Sequence, residues 1–367
     1  MRELIVNLGE RSYPIYIGEG LLGDAAAYFE KNGISKKSSI LIITDDHVAP
    51  HYLGQLEAKL SQGGYPVVSA IVPAGESAKS LTMLESLIGK ALQGGLDRKS
   101  AVVALGGGVV GDLAGFVAAS FMRGVKFVQI PTTILAHDSS VGGKVAVNHP
   151  MAKNIIGAFH QPEFVLYDLS TLQTLPAREV IGGLAEVVKH GLIWDAGFVE
   201  WCEENAEKLL GLDPEALGYA LYNGCSVKAS VVSQDERENG LRAILNLGHT
   251  IGHALEAVAG YGVLEHGEAI AIGMIGSARL GVRYGAPQEV YTTTKRALEK
   301  CGLPIAIPQN FDSEAIMKAM MHDKKFSEGI MTFVVPTAIG KVEIKPDVPV
   351  SWVREIVEEL KREEKQL

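Results

Sequence analysis

Cysteine is scarce in this chain: Cys202, Cys225 and Cys301 are the only three in 367 residues, with no CxxC spacing and an odd count. That argues against a disulfide framework and fits reduced thiols in a cytoplasm better. Positive charge is also in deficit, with 34 Lys and Arg against 43 Asp and Glu and a net charge of −9. A broad nucleic-acid surface is thereby excluded, although a local basic pocket for a small anion is not. No uncharged apolar run reaches the roughly 18 residues of a membrane span. Met1-Arg2-Glu3 leads directly into strand-like sequence with no secretory hydrophobic region, so the expected location is cytoplasmic, away from membranes. Repeats and low-complexity segments are missing as well.

What is present is an ordinary globular composition, 47% hydrophobic and 21% charged, in a chain long enough for two domains with substantial cores. From Glu3 to about Thr174, apolar and β-branched runs at 40–43, 67–72, 101–105 and 127–130 alternate with helical windows near 47–62, 77–93 and 109–121. Continuous apolar strands between helices predict a mostly parallel, Rossmann-like sheet covered on both faces, with ligands at the carboxyl ends of its strands. Beyond Thr174-Leu175-Pro176 the strand signal fades. The expected organisation is therefore an α/β domain over 1–174 followed by an all-helical domain over 175–367.

Two strand ends carry chemistry. Ile43 is followed by Thr44-Asp45-Asp46-His47; an acid there suits ribose hydroxyls, and it suits a turn or helix cap equally well. After Leu105 comes Gly106-Gly107-Gly108-Val109-Val110-Gly111-Asp112, passing into a helix. Three glycines let backbone N–H groups approach a pyrophosphate, and the helix N-terminus favours its charge. The spacing is not GxGxxG, so this is a dinucleotide or phosphate loop of another kind, or a tight strand-to-helix turn. Further on, Pro131-Thr132-Thr133, Asp138-Ser139-Ser140-Val141-Gly142-Gly143-Lys144 and Lys153-Asn154 form a polar, glycine-rich insertion that suits a phosphorylated or carboxylated ligand, or a solvated loop.

The helical half holds a denser signal. His249 and His253 stand four apart in an apolar helical window, so both imidazoles project from one face. Gly248 and Gly252 clear space beside them, and His266 begins the next apolar helix. A single such histidine is an ordinary core residue; three together suit a metal or proton transfer, and a catalytic metal needs one more ligand, commonly a carboxylate. Glu186 supplies it: Glu186 and Lys189, three apart in the apolar run 182–191, share a face where charges are costly unless used. Read from spacing alone, Lys228 and Arg242 are surface charges.

Taken in order, these motifs, together with Gly75-Glu76, Lys79 and Met122-Arg123-Gly124, resemble 3-dehydroquinate synthase, of the sugar-phosphate cyclase superfamily, over nearly the whole chain. The resemblance implies that Glu186, His249 and His266 bind zinc, with cobalt an alternative ion, and that His253 belongs to a proton-transfer network. It implies NAD contacts at Asp45, Glu76, Lys79, Gly106, Gly107, Gly108, Asp112, Thr132, Thr133, Thr171 and Thr174, with Lys144 and Lys153 nearby. Substrate carboxylate and phosphate would meet Lys144, Asn154, Lys189, Lys228, Arg242, Asn246 and Lys324, with Asp138 in the same pocket; Asp138, Lys144, Lys189, Asn246 and His253 are the candidates for catalysis. Arg123 resembles a residue that reaches the neighbouring subunit's phosphate site in a homodimer.

The implied reaction turns 3-deoxy-D-arabino-heptulosonate 7-phosphate into 3-dehydroquinate and phosphate, through transient oxidation, phosphate elimination, re-reduction and aldol closure. NAD is used without being consumed. The chain departs from the family pattern in three places: only His137 stands between Ala136 and the Asp-Ser-Ser, Val145 replaces a usual threonine, and His47 stands where asparagine is common. Three rivals stay open: a sister cyclase acting on another sugar phosphate, a metal-dependent polyol or glycerol-phosphate dehydrogenase, and a nucleotide-binding protein with a structural zinc.

Overall fold

A computed structural model describes residues 1–260, 262–322, 326–327 and 330–363. The chain forms two compact units, one made of 1–175 and 217–237, the other of 176–216 and 238–367.

In the first unit the strands are β1 (Arg2–Val6), β2 (Tyr13–Gly18), β3 (Ile40–Asp45), β4 (Val67–Val72), β5 (Ala101–Gly106), β6 (Lys126–Pro131), β7 (Lys144–His149), β8 (Ala152–Phe159) and β9 (Phe164–Asp168). Its helices are α1 (Ala25–Lys31), α2 (Ala49–Gln62), α3 (Leu81–Gln93), α4 (Gly108–Ser120) and the single turn α5 (Ala136–Ser139). Seven strands make one sheet in the order β1-β2-β9-β6-β5-β3-β4. Only the β1–β2 pair is antiparallel; the other pairings are parallel. The continuous apolar strands predicted this, because both sheet faces are covered. Leu41 and Ile43 enter one core with Leu84, Leu87 and Leu113, while Ile40 and Ile42 enter the other with Phe29, Leu56 and Leu60. Fully burying each such side chain contributes about 1.5–3 kcal/mol.

Connections run outward in opposite directions from β3 and β5, which lie side by side. Their carboxyl ends thus bound the topological switch point, where open α/β sheets bind ligands. Asp45 ends β3 and Gly106 ends β5. The glycine-rich insertion is more regular than its composition suggests: β7 and β8 pair as an antiparallel hairpin.

The other unit is mainly helical: α6 (Ala177–Trp194), α7 (Ala196–Glu204), α8 (Ala206–Leu210), the start of α9 (Pro214–Gln234), α10 (His249–Ala259), α11 (His266–Arg283), α12 (Gln288–Lys300), α13 (Ser313–His322) and α14 (Val350–Glu363). Two small antiparallel hairpins accompany them, β10 (Phe326–Ser327) with β11 (Ile330–Met331) and β12 (Phe333–Ala338) with β13 (Lys341–Lys345). These hairpins are an addition to the all-helical expectation. At the centre is α6, buried continuously from Gly182 to Ile193.

A single division at 174/175 does not describe the chain, because α9 from Leu217 onward belongs to the first unit. The contacts explain this. The Arg2 guanidinium lies over the Tyr219 and Tyr222 rings, at 5.7 and 5.9 Å, and Arg11 pairs with Glu236.

Candidate metal and nucleotide sites

In the first unit, the loops after β5 and β6 lie together because Gly106 and Pro131 are register partners, and Thr132 N–H donates to the Gly106 carbonyl at 3.1 Å. The glycines are needed for that approach. A Cβ on Gly107 would stand 3.0 Å from Thr133 Cγ2, and one on Gly108 3.1 Å from Ser139 Oγ. The first bond of the α4 ladder runs from Gly111 N–H to the Gly107 carbonyl. The N–H groups of Gly108, Val109 and Val110 are thus outside the ladder at the strand ends, an arrangement suited to an anion. Asp45 Oδ1 accepts from His47 N–H at 3.0 Å and Val48 N–H at 2.8 Å, so this carboxylate does serve the turn into α2.

Beside the glycine loop, buried Lys79 Nζ donates to Asp112 Oδ2 at 2.6 Å and to Asn154 Oδ1, with Glu76 Oε1 at 3.5 Å. Glu76 Oε1 also accepts from Asn148 Nδ2 at 2.8 Å. Burial pushes the Asp112 carboxyl up from its ordinary value despite the lysine. Thr171 and Thr174 are bonded to Tyr52, whose hydroxyl donates to the Thr171 carbonyl at 3.0 Å and lies 2.7 Å from Thr174 Oγ1. Lys144 and Lys153 are exposed on the β7–β8 hairpin, as is Asn154, which has a left-handed backbone (φ 54°). Arg123 is exposed, with φ 69° next to Met122 at φ 49°.

Lys228 is not a surface charge. It is 7% exposed, and its ammonium donates to the Asp138 carbonyl at 2.6 Å and to Asp138 Oδ2 at 2.8 Å. Arg242, in the second unit, is 2% exposed. Spacing misjudged both, because a burial that depends on other segments leaves no periodic trace in their own.

In the second unit, Glu186 and Lys189 are each 1% exposed and form an ion pair through Glu186 Oε2. Glu186 Oε1 has no hydrogen-bond partner among the described residues. Two imidazole nitrogens face it instead, His249 Nε2 at 3.8 Å and His266 Nε2 at 3.7 Å. The ligand atoms of the three residues all lie within 4.8 Å of one another. His249 Nδ1 is 3.1 Å from the Leu247 carbonyl, and His266 Nδ1 is 3.1 Å from Glu256 Oε2. Both partners only accept, so each Nδ1 carries a proton, and in the neutral ring Nε2 presents its lone pair. A tetrahedral ion with bonds of about 2.0–2.1 Å sets its ligands roughly 3.4 Å apart, a few tenths of an ångström from the distances found. An orphaned buried carboxylate oxygen and two correctly protonated imidazoles fit a divalent cation. Burial opposes charging of His266, but Glu256, bonded to it, and Glu186 raise its pKa above the ordinary value.

The His253 ring lies 5.2 Å from His249 and 6.1 Å from His266, centroid to centroid. Asn246 Nδ2 donates to Glu238 Oε1 at 3.0 Å. Lys324 lies outside the described residues. The space beside Gly248 and Gly252 is filled: a Cβ on Gly248 would stand 2.7 Å from the Ile270 carbonyl, and one on Gly252 2.6 Å from Ile270 Cδ1. Their space is taken by α11, which brings His266 alongside.

Residues 69–182 match the family model described as the 3-dehydroquinate synthase N-terminal region, and residues 183–326 match that of its C-terminal region. The 3-dehydroquinate synthase of Desulforamulus reducens is 50% identical over 350 residues, 95% of this chain and 97% of that protein. This chain belongs to the 3-dehydroquinate synthase family. Solved structures agree. One of 2-deoxy-scyllo-inosose synthase complexed with carbaglucose-6-phosphate, NAD+ and Co2+ is 29% identical with a TM-score of 0.89, over 98% of this chain and 100% of that one. One of 2-epi-5-epi-valiolone synthase from Streptomyces hygroscopicus with NAD+ and Zn2+ is 26% identical with a TM-score of 0.86, over 96% and 98%.

For this member of the 3-dehydroquinate synthase family, the residue reading missed Glu256 and Glu238. Glu256 was legible in principle, since 249, 253 and 256 share one helix face. Glu238 carried no signal beyond its charge; its left-handed backbone (φ 61°) emerges only in three dimensions. Among the described residues no helix is long and apolar enough to cross a membrane.

Proposed function

We propose that the protein converts 3-deoxy-D-arabino-heptulosonate 7-phosphate into 3-dehydroquinate and phosphate, as a cytoplasmic homodimer. The observation that carries the proposal is the pairing of two motifs in one chain of this family. One is the unpartnered Glu186 Oε1 facing two Nε2 lone pairs, and the other is the glycine loop at the β3/β5 switch point. The first unit is the NAD-binding domain in this reading, and the second carries the metal.

Glu186, His249 and His266 would hold a zinc or cobalt ion. Such a metal would supply polarisation of a substrate hydroxyl, and NAD would supply a reversible hydride acceptor. The chain's own residues do the rest. Gly106, Gly107, Gly108, Thr132 and Thr133 line the pyrophosphate loop, and Asp45 Oδ2 remains for a ribose hydroxyl. Lys144, Asn154, Lys189, Lys228, Arg242, Asn246 and Lys324 are the candidates for holding the phosphate and carboxylate, which accounts for these basic groups in an acidic protein. His253 moves the proton, with Asp138 holding the Lys228 ammonium in place.

The test is phosphate release from the heptulosonate phosphate with NAD below stoichiometry. Many turnovers without net growth of the NADH absorbance band are expected. NADH accumulating in step with product would install a dehydrogenase instead. Release from another sugar phosphate, with none from the heptulosonate, would install a sister cyclase.

A further inference from the structure

The metal site has a support that no part of the proposed reaction uses. Glu256 sits on α10 two turns after His249 and one after His253, on the same face. Its Oε2 is 3.1 Å from Nδ1 of His266, the first residue of α11. We propose that Glu256 is a positioning residue for His266: it holds the proton on Nδ1 and so keeps Nε2 aimed, with its lone pair, at the centre shared with Glu186 and His249. The proposal rests on the metal reading above.

His266 needs such a support more than its neighbours. Its side chain is about one third exposed, against 12% for His249 and 2% for Glu186. It stands at the end of a helix, where a ring without a partner rotates and exchanges its proton between two nitrogens, and the form protonated on Nε2 cannot ligate through that nitrogen. The His249 ring is fixed differently, by the Leu247 carbonyl of its own segment. His266 thus depends on a side chain from another helix, and the α10–α11 pairing becomes part of the metal site. Carboxylate-to-histidine bonds of this kind orient ligands and raise their basicity.

Glu256 also forms a compact group with His253 and His266, with ligand atoms within 4.8 Å of one another. The rival to positioning is therefore direct ligation by Glu256, and the Glu256→Gln variant separates the two. A glutamine carbonyl still accepts from Nδ1–H, whereas a neutral amide is a much poorer zinc ligand than a carboxylate.

The experiment titrates zinc(II) into the full chain, stripped with a chelator, against a chromophoric competitor, with Glu186→Ala as control. Expected are loss of binding in Glu186→Ala, a roughly 10–100-fold weaker site in Glu256→Ala, and a loss of under about fivefold in Glu256→Gln. The cobalt(II) visible spectrum at saturation should keep its wild-type shape in both Glu256 variants, and the metal-free melting curves should coincide. Wild-type zinc affinity in Glu256→Ala would overturn positioning while leaving the metal site standing. Equal losses in the two Glu256 variants, an altered cobalt spectrum or a lowered metal-free melting curve would overturn it in favour of ligation or plain packing. No zinc binding by the wild-type chain would overturn the metal reading itself, and this proposal with it.

Discussion

Lys228 Nζ holds Asp138 twice, donating to its main-chain carbonyl at 2.6 Å and to its carboxylate at 2.8 Å. One bond fixes the backbone of the short turn α5, the other fixes its acid. Because Lys228 is on α9, this pair also binds the returning helix to the α/β unit.

Removing either partner leaves the other charge buried. Lys228→Met and Asp138→Leu should each cost about 3 kcal/mol, the low end for a buried pair because Asp138 keeps some water. The double variant should cost clearly less than their sum. Urea unfolding measures the cycle, and strict additivity would show that the pair contributes nothing.

Much of this architecture is legible in one dimension. Runs such as 40–43 are unmistakable because their side chains are apolar on both faces, and Glu186 stands out because a charge in an apolar helix demands a use. Other features are legible only through partners distant in sequence. The β7–β8 hairpin reads as a loop because much of it is exposed, so its apolar alternation is weak. Gly248 and Gly252 read as space beside the histidines, and only the fold shows that α11 fills it. Lys228 and Arg242 read as solvated until the fold surrounds them.

A pH signature is expected from Glu236. Its carboxylate accepts from Arg11 Nη1 and Nη2 at 2.6 and 2.7 Å and from Gln161 Nε2 at 2.9 Å. The Arg11 bonds, against the opposing effect of burial, hold its pKa below the ordinary value. A depressed carboxyl stabilises the fold above its unfolded value of about 4.3, and that contribution is lost as pH falls through the folded value. Arg11 is mostly exposed, so Arg11→Ala should cost only about 0.5–1 kcal/mol at pH 7. The difference from wild type should shrink well below pH 4. Denaturation midpoints at the two pH values check it, and a gap that widens in acid would refute the assignment.

Arg123 is exposed and follows Met122 in a second left-handed backbone conformation, a costly arrangement for residues with side chains. A role across a dimer interface would account for it. If Arg123 serves the partner's site in a symmetric dimer, Arg123→Ala and Lys189→Ala subunits, each inactive alone, complement one another. Equal mixing makes half the dimers mixed, each with one intact site, so about one quarter of wild-type activity should return. No recovery after verified subunit exchange would place Arg123 in its own subunit's site.

The helices that carry Glu186 and His266, α6 and α11, come close together at Gly182 and Gly267. A Cβ on Gly267 would stand 1.9 Å from the Gly182 carbonyl oxygen and 2.7 Å from its Cα, so only backbone movement can admit it. A Cβ on Gly182 meets nothing within 4 Å. Two glycines at one helix crossing should therefore behave in opposite ways. Gly182→Ala should stabilise the chain by about 0.5–1 kcal/mol, through lower unfolded-state entropy and better helix propensity. Gly267→Ala should cost about 3 kcal/mol, because both sides of the clash are main chain. Since Gly267 adjoins His266 and Gly182 lies one turn before Glu186, forcing the helices apart also widens the 3.7 Å gap between Glu186 Oε1 and His266 Nε2. Gly267→Ala should then lose zinc affinity at least about tenfold while Gly182→Ala keeps it, as expected when ligand geometry is disturbed. Similar stability and zinc affinity in the two variants would show that the crossing does not set the spacing of the ligands.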